Sequence, residues 1–386
     1  MKKLTQRRRN WFRMRARRQA KFSARRMPVG GLKWGSHSVK IWDGAGEETI
    51  ISEQPARSIP SKLCFTDNLA ETASWFAAMR RRFLSGDYQK KVWVRRVKNG
   101  RLRSIRTYAD FSVLREISTA AALVMAAEYD RVRGLIGSVP PAVDIHKWDG
   151  RILKKLLDLG FFETVGLQPE KVEPFVWADE TLMTQRFFSG RNTEDIGDAH
   201  ENLRRLWSFL EPEQLMPKDV SVNLMSAISE AMSNVARHAY PPDAGLLYPH
   251  VGKWWMAGEA DRRTRSLRMV IFDQGATIPV TYRKQTLTGE AISLIESARD
   301  ANHRFAKDGR IIEAAARFGA SSTEESKHGN GMEQMKRAID IAGAGRLRIL
   351  SRGGEYIYEG GRERSNAHQN SVGGTLIEWE VQLPAE

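Results

Sequence analysis

Residues 227 to 240, "AISEAMSNVARHAY", place Glu230, Asn234 and His238 at positions i, i+4 and i+8 of one helical stretch. Side chains four apart stand one above another on a helix. The three therefore form a polar stripe, set among apolar Met225, Ile228, Val235 and Ala239. A polar group buried without a partner costs free energy, so any fold that packs this helix must turn the stripe toward water or a cavity. An asparagine oxygen and a carboxylate are hard ligands that Mg²⁺ accepts, directly or through water. A carboxylate can also orient or deprotonate a water or hydroxyl that attacks a phosphate. Taken alone, the stretch is better read as the wet face of an ordinary amphipathic helix.

Three further motifs change that reading. "VIFDQGATIP" is an apolar strand that ends in Asp273, followed by Gly275 and Thr277. The aspartate offers an acceptor for an exocyclic amine, and the glycine lets backbone approach a flat ring. "KHGNGMEQM" sets Gly329 and Gly331 ahead of a helix that continues through Met332. Such glycines free backbone N–H groups for phosphate oxygens. "VGGTLIEWEV" puts Thr375 at the start of a strand, after two glycines. A lone Gly-x-Gly is common, but four motifs in this order over about 150 residues are specific.

The surrounding pattern is mixed α/β. Strands are expected at "ETLMTQRFF", "GKWWMAG", "SLRMVIFDQG", across "GRLRILSRGGEYIYEGG", and at "GGTLIEWEVQLP". Helices are expected at "GDAHENLRRLWSFL", at "PKDVSVNLMSAISEAMSNVARHAY" up to Pro241-Pro242, from 289 to 319, and after Gly331. The elements do not alternate strictly, which argues against a doubly wound sheet. Earlier, "KKVWVRRVKNGRLRSIRTYADF" reads as a hairpin around "KNG". "LREISTAAALVMAAEYDRVRGL" is an apolar-periodic helix, and "DGRILKKLLDLGFF" a second helix stopped at Gly160. Expected boundaries are a tail over 1–36, an α/β unit over 55–170 and a second unit over 171–386.

Charge separates the tail from the rest. The net charge is +15, but residues 1 to 26 carry 12 Lys/Arg and no acidic residue. Without them 49 basic face 46 acidic residues. Arg7, Arg8, Arg9, Arg17 and Arg18, interleaved with Trp11, Phe12 and Phe22, suit phosphate contacts and base stacking. The same composition fits a solvated leader or an organelle transit peptide. A single cysteine, Cys64, excludes an internal disulfide and a cysteine-based metal cluster. The longest apolar run, Ala120 to Ala127, is too short to span a bilayer. No signal-peptide core is present. The expectation is a cytoplasmic protein with no membrane association.

The ordered motifs resemble the GHKL superfamily, the Bergerat-fold ATP-binding proteins. "SEAMSNVARHAY" looks like its asparagine box, closest to the anti-sigma-factor serine kinases and histidine kinases. "DQGATIP" looks like the first glycine box, "HGNGM" like the second and "GGT" like the last. The resemblance covers roughly residues 170 to 386. It implies a two-layer α/β sandwich with a mixed, mostly antiparallel sheet and helices on one face. It further implies ATP and Mg²⁺ as ligands. On that basis Asn234 would ligate Mg²⁺ and phosphate oxygens, and Glu230 would be general base or water positioner. Asp273 would accept the adenine amino group, and Gly275 would give the ring room. Gly329 and Gly331 would shape the lid, Thr277 and Met332 would belong to the nucleotide site, and Thr375 would support the adenine pocket. His238 would be packing or lid contact. Thr277 stands where the family usually has a second glycine.

Residues 55 to 170 resemble a STAS domain, with the family's phosphoacceptor position falling on Ala120, after Ser118 and Thr119. Three functions follow. One is a nucleotide-dependent switch reset by hydrolysis at Glu230. Another is a serine/threonine kinase of the anti-sigma type. The third is a nucleic-acid-binding module working through the tail. The expected partners are an unidentified protein, a second copy of the chain, or nucleic acid. A sensor histidine kinase is disfavoured because His200-Glu201 lies on a short helix inside the second unit. A topoisomerase or mismatch-repair protein is disfavoured because no transducer follows the ATP-binding unit.

Overall fold

The computed structural model describes residues 37–43, 46–52, 59–96, 103–105, 107–193, 197–242, 245–298, 302–319 and 331–383. Its first segment holds strands β1 (His37–Asp43), β2 (Gly46–Ser52) and β3 (Lys62–Leu63), then helix α1 (Leu69–Leu84). Strands β4 (Val94–Arg96), β5 (Arg103–Ile105) and β6 (Glu116–Ile117) follow, then helices α2 (Thr119–Ile136), α3 (Gly150–Leu159) and α4 (Phe161–Thr164). The second segment begins with short strands β7 (Leu182–Thr184) and β8 (Phe188–Gly190) and helices α5 (Gly197–Leu210) and α6 (Lys218–Asn234). Next come β9 (Trp254–Asp261), β10 (Ser266–Asp273), α7 (Ile278–Thr281), α8 (Gly289–Glu296), α9 (Asp308–Phe318) and α10 (Gly331–Ala342). Strands β11 (Gly345–Ser351), β12 (Gly354–Glu359), β13 (Arg362–Ala367) and β14 (Thr375–Gln382) close the chain.

Local chemistry sets several helix ends. Ser118 caps α2 by accepting the Ala121 N–H at 3.2 Å, and Asp149 caps α3 by accepting the Arg151 N–H at 3.0 Å. Gly137 and Gly160, at φ of 78° and 84°, end them in the left-handed conformation that costs glycine nothing. The expected hairpin is present as antiparallel β4 and β5, with "KNG" outside the described residues.

The second segment builds an eight-stranded sheet in which every pairing is antiparallel, ordered β13-β12-β11-β14-β10-β9-β7 with β8 also on β9. Its central strands are buried on both faces, and their side chains alternate between two cores. Trp254, Met256, Met269, Ile271, Ile377 and Trp379 meet α5, α6 and α10 on one face. Trp255, Ala257, Val270, Phe272, Leu350 and Leu376 meet residues of the first segment on the other. Helix α2 is the main cover there. Residues Ala120 to Ala127 are each no more than 1% exposed, as expected of a helix apolar all round. The far part of this face carries a cross-strand ionic ladder, with Arg268 and Arg346 on Glu380 at 2.7 and 2.8 Å and Arg348 on Glu355 at 2.6 Å. Arg348 also reaches the first segment, donating to Thr66 Oγ1 at 3.0 Å.

Three expectations need correction. The expected strand over "ETLMTQRFF" is two short strands, because the Phe187 N–H turns away to the Leu159 carbonyl at 2.9 Å before the chain rejoins β9. The helical stretch from 289 to 319 is two helices, α8 and α9, with residues 302–307 looping ahead of the second. Strand β13 was not anticipated, since "RERSNA" has no apolar residue before its terminal alanine to mark its inner face. Ser118, Thr119 and Ala120 sit at the capped start of α2, with Thr119 and Ala120 buried.

A core shared between the two segments has a measurable consequence. Leu123→Ala, at a fully buried position of α2, is expected to lower stability by about 2–5 kcal/mol. The loss should appear in one cooperative denaturant transition that covers both segments. Two separate transitions, with the sheet unaffected, would contradict the shared core.

Candidate functional site

Helix α6 carries the polar stripe toward one end of the sheet. It does not stop at Asn234 but passes into a π-helical turn, Val235–Ala239, ending before Pro241. Such turns widen the helix by a residue and occur disproportionately at functional sites. Here the turn delivers the Ala239 carbonyl to the loop after β10, where it accepts the Ala276 N–H at 2.5 Å. Tyr240 completes the junction. Its hydroxyl donates to the Lys253 carbonyl at 2.5 Å and accepts the Gln274 N–H at 3.0 Å.

Antiparallel register aligns three polar side chains at the same end of the sheet. Asp273 of β10 lies opposite Thr375 of β14, and Thr375 lies opposite Ser351 of β11. The Ser351 and Thr375 hydroxyls are 2.9 Å apart, and Ser351 Oγ accepts the Ile278 N–H at 2.9 Å. Asp273 is 5% exposed, and its Oδ1 accepts the Gly275 N–H at 2.8 Å. Burial pushes its carboxyl up to about 7, against the opposing pull of the Gly275 and Thr375 backbone N–H groups.

A cleft of about 190 Å³ opens between these elements and the start of α10. Seven of the expected residues line it: Glu230, Asn234, His238, Asp273, Gly331, Met332 and Thr375. They come from four segments that are far apart in the chain. Glu230 and Asn234 are half-buried, and His238 is exposed at the rim. Desolvation by the cleft wall and the neighbouring Arg237 charge lower the His238 proton affinity, with Glu230 pulling the other way. A Cβ at Gly331 would come within 2.3 Å of Glu230 Oε1. Glycine therefore lets α10 begin directly against the Glu230 carboxylate, which lies where the helix dipole favours negative charge.

Two expected residues play other parts. A Cβ at Gly275 would lie 2.1 Å from the Ala239 carbonyl oxygen, so this glycine allows the loop to seat on the end of the α6 turn. It is not among the residues that line the cleft. Thr277 does not line the cleft either, although Ala276 and Ile278 on each side do. Its buried hydroxyl has no hydrogen-bond partner among the described residues. Gly329 and the tail arginines Arg7, Arg8, Arg9, Arg17 and Arg18 lie outside the described residues.

Several wall residues carried no motif. Thr281 ends α7, Tyr282 and Gln285 follow it, Ala315 and Gly319 close α9, and Met335 and Ile377 form apolar wall. Ser351 was also missed, although a serine ending the apolar strand "RLRILS" was its available signal. No cluster of three or more His, Cys, Asp or Glu suited to a metal occurs among the described residues. Nor is any described helix long and apolar enough to cross a membrane. No known protein-family model matches the sequence, and no curated protein matches it significantly.

The buried Asp273 makes stability depend on pH. In the folded protein it keeps its proton up to about pH 7, whereas an exposed aspartate loses it near 3.8. Stability from this group is therefore highest below pH 4, falls as pH rises to 7, and is flat above. Asp273→Asn should remove that slope. The variant is expected to match wild type near pH 4 and to exceed it by about 4 kcal/mol above pH 7. Urea titrations at both pH values check this, and equal differences at both would remove the buried-acid assignment.

Proposed function

We propose that the chain is a Mg-ATP-binding protein of the GHKL kind, working as a nucleotide-dependent switch reset by hydrolysis at Glu230. The observation that supports this most is the meeting of four sequence-distant motifs in one cleft, with a buried acid at one end and a helix N-terminus at the other. Chemically, the donors suit a nucleotide. Asp273, once ionised, accepts an exocyclic amine, held in place by its backbone N–H donors and by Thr375. Ile278, Met332, Met335 and Ile377 supply apolar wall for a flat ring. Gly331 opens a helix beside Glu230, and the free N–H groups of a helix N-terminus favour phosphate oxygens.

Asn234 is the residue that would hold Mg²⁺, in company with phosphate oxygens and water, since Mg²⁺ needs few protein ligands. Bound there, Mg²⁺ would neutralise phosphate charge. Glu230, one turn earlier in the cleft lining, would orient a water or take its proton. The π turn keeps His238 at the rim, where it can contact what closes over the cleft. The same geometry would serve transfer to a protein hydroxyl, so the acceptor decides between switch and kinase.

Glu230→Gln is expected to bind Mg-ATP with near wild-type affinity but to turn it over about 10²-fold more slowly. Asn234→Ala should lose the Mg-dependent part of the affinity. Incubation with γ-labelled ATP, with and without lysate, separates the fates of the label. Free phosphate lost in Glu230→Gln is the expected outcome, label in a lysate protein makes the chain a kinase, and unchanged turnover in the variant removes Glu230 from the chemistry. Affinity should also rise by up to tenfold per pH unit toward pH 7 and then level, as the Asp273 proton is released on binding. A flat profile would mean that the buried carboxyl does not accept from the ligand.

A further inference from the structure

Behind the cleft, α1 and α2 together reach both loops that form its Asp273 end. Gln274, 4% exposed, donates its side-chain N–H to the Ala127 carbonyl at 3.2 Å. Arg80 of α1, 4% exposed, donates from Nε to Glu128 of α2 at 2.7 Å and from its Nη2 to the Val372 carbonyl. Glu128 is shared with Arg131, which is also buried. The turn that Arg80 holds is built for it. Gly373 has φ of +90°, and a Cβ there would lie 2.1 Å from the Arg80 guanidinium carbon. At the next residue, a Cβ on Gly374 would lie 1.8 Å from the Asp273 carbonyl oxygen. Any shift of the Val372–Gly374 turn is thus passed to Asp273 and Thr375 together.

The other side of this turn is fixed to the sheet. Arg352 N–H donates to the Gly374 carbonyl at 3.1 Å, and Val372 N–H to the Arg352 carbonyl at 2.9 Å. Arg352 and the Gly353 N–H are in turn held by the buried Asp308 at the start of α9. The turn therefore lies between a fixed support and the Arg80 guanidinium. A buried Arg–Glu–Arg cluster is a poor way to gain stability, because desolvation offsets the attraction. It does set geometry. Within the same junction Arg131 Nε and Gln274 Oε1 are buried without a hydrogen-bond partner among the described residues. Unsatisfied groups of this kind weaken a contact relative to an apolar one. The junction is specific but not maximally tight.

We infer that Arg80 and Gln274 are positioning residues through which the first segment sets the nucleotide affinity of the cleft. This rests on the nucleotide reading of the site. Neither residue lines the cleft; each acts through the backbone that presents Asp273 and Thr375. Linkage then requires the reverse effect: a ligand that draws these two residues into place must tighten the docking of α1 and α2 by the same factor. The first segment is accordingly a regulatory element, and a partner that loosens α1 or α2 from the sheet releases nucleotide.

Arg80→Met and Gln274→Met test this in the full chain. In Arg80→Met, Glu128 keeps its pairing with Arg131, and Gln274→Met removes only the amide. Mg-ATP affinity by calorimetry is read beside amide exchange of residues 372–376 in nucleotide-free protein. Each variant is expected to unfold cooperatively, to bind about tenfold more weakly, and to exchange faster over 372–376, with Arg80→Lys intermediate. Folded variants with wild-type affinity and a wild-type protein that binds would overturn the inference while leaving the site intact. A wild-type protein that binds no Mg-ATP would overturn the nucleotide reading and the coupling with it. Exchange unchanged from wild type would overturn the pinning by itself. If Arg80→Met fails to fold, Gln274→Met decides.

Discussion

The register of three antiparallel strands is the constraint on which the site depends. Pairing β10 with β14 and β14 with β11 sets Asp273, Thr375 and Ser351 side by side at one sheet end. A slip of one residue would turn every side chain of a strand to the opposite face. That slip is blocked because both faces are packed: Met269, Ile271 and Trp379 on one side, Val270 and Phe272 on the other. The carboxyl can be buried because the loop after it supplies a backbone donor at 2.8 Å. Packing on two faces thus holds an acid in a place where its proton is hard to lose.

Glycines then decide how closely the remaining pieces approach. Gly275 lets the loop rest on the Ala239 carbonyl, Gly331 lets α10 begin against Glu230, and Gly374 lets the final turn lie on Asp273. All three sequence motifs marked these glycines, but only Gly331 faces the cleft. The others permit backbone to meet backbone, a different use of the same missing Cβ.

Much of this was legible from residue pattern. The stripe of Glu230, Asn234 and His238 had to face water or a cavity, and all three residues line the cleft. A strand ending in Asp, and glycines placed ahead of Gly331 and Thr375, predicted the right ends of the right elements. The stretch around Ala120 to Ala127 reads as an apolar-periodic helix, but its pattern did not tell that the run is buried all round or what it lies against. That depends on contacts between distant segments, which periodicity does not encode. The π turn at Val235–Ala239 was invisible because its residues also suit an ordinary helix. Tyr282, Gln285 and Ala315 reach the cleft by the path of the chain after α7 and along α9, and carry no local signature.

The most direct test of the account is a crystal structure of the protein with Mg²⁺ and a non-hydrolysable ATP analogue. The account predicts the adenine amino group on the Asp273 carboxylate and the phosphates at the Gly331 end of the cleft, beside Glu230 and Asn234. A nucleotide seated elsewhere, or reversed so that its phosphates meet Asp273, would contradict it.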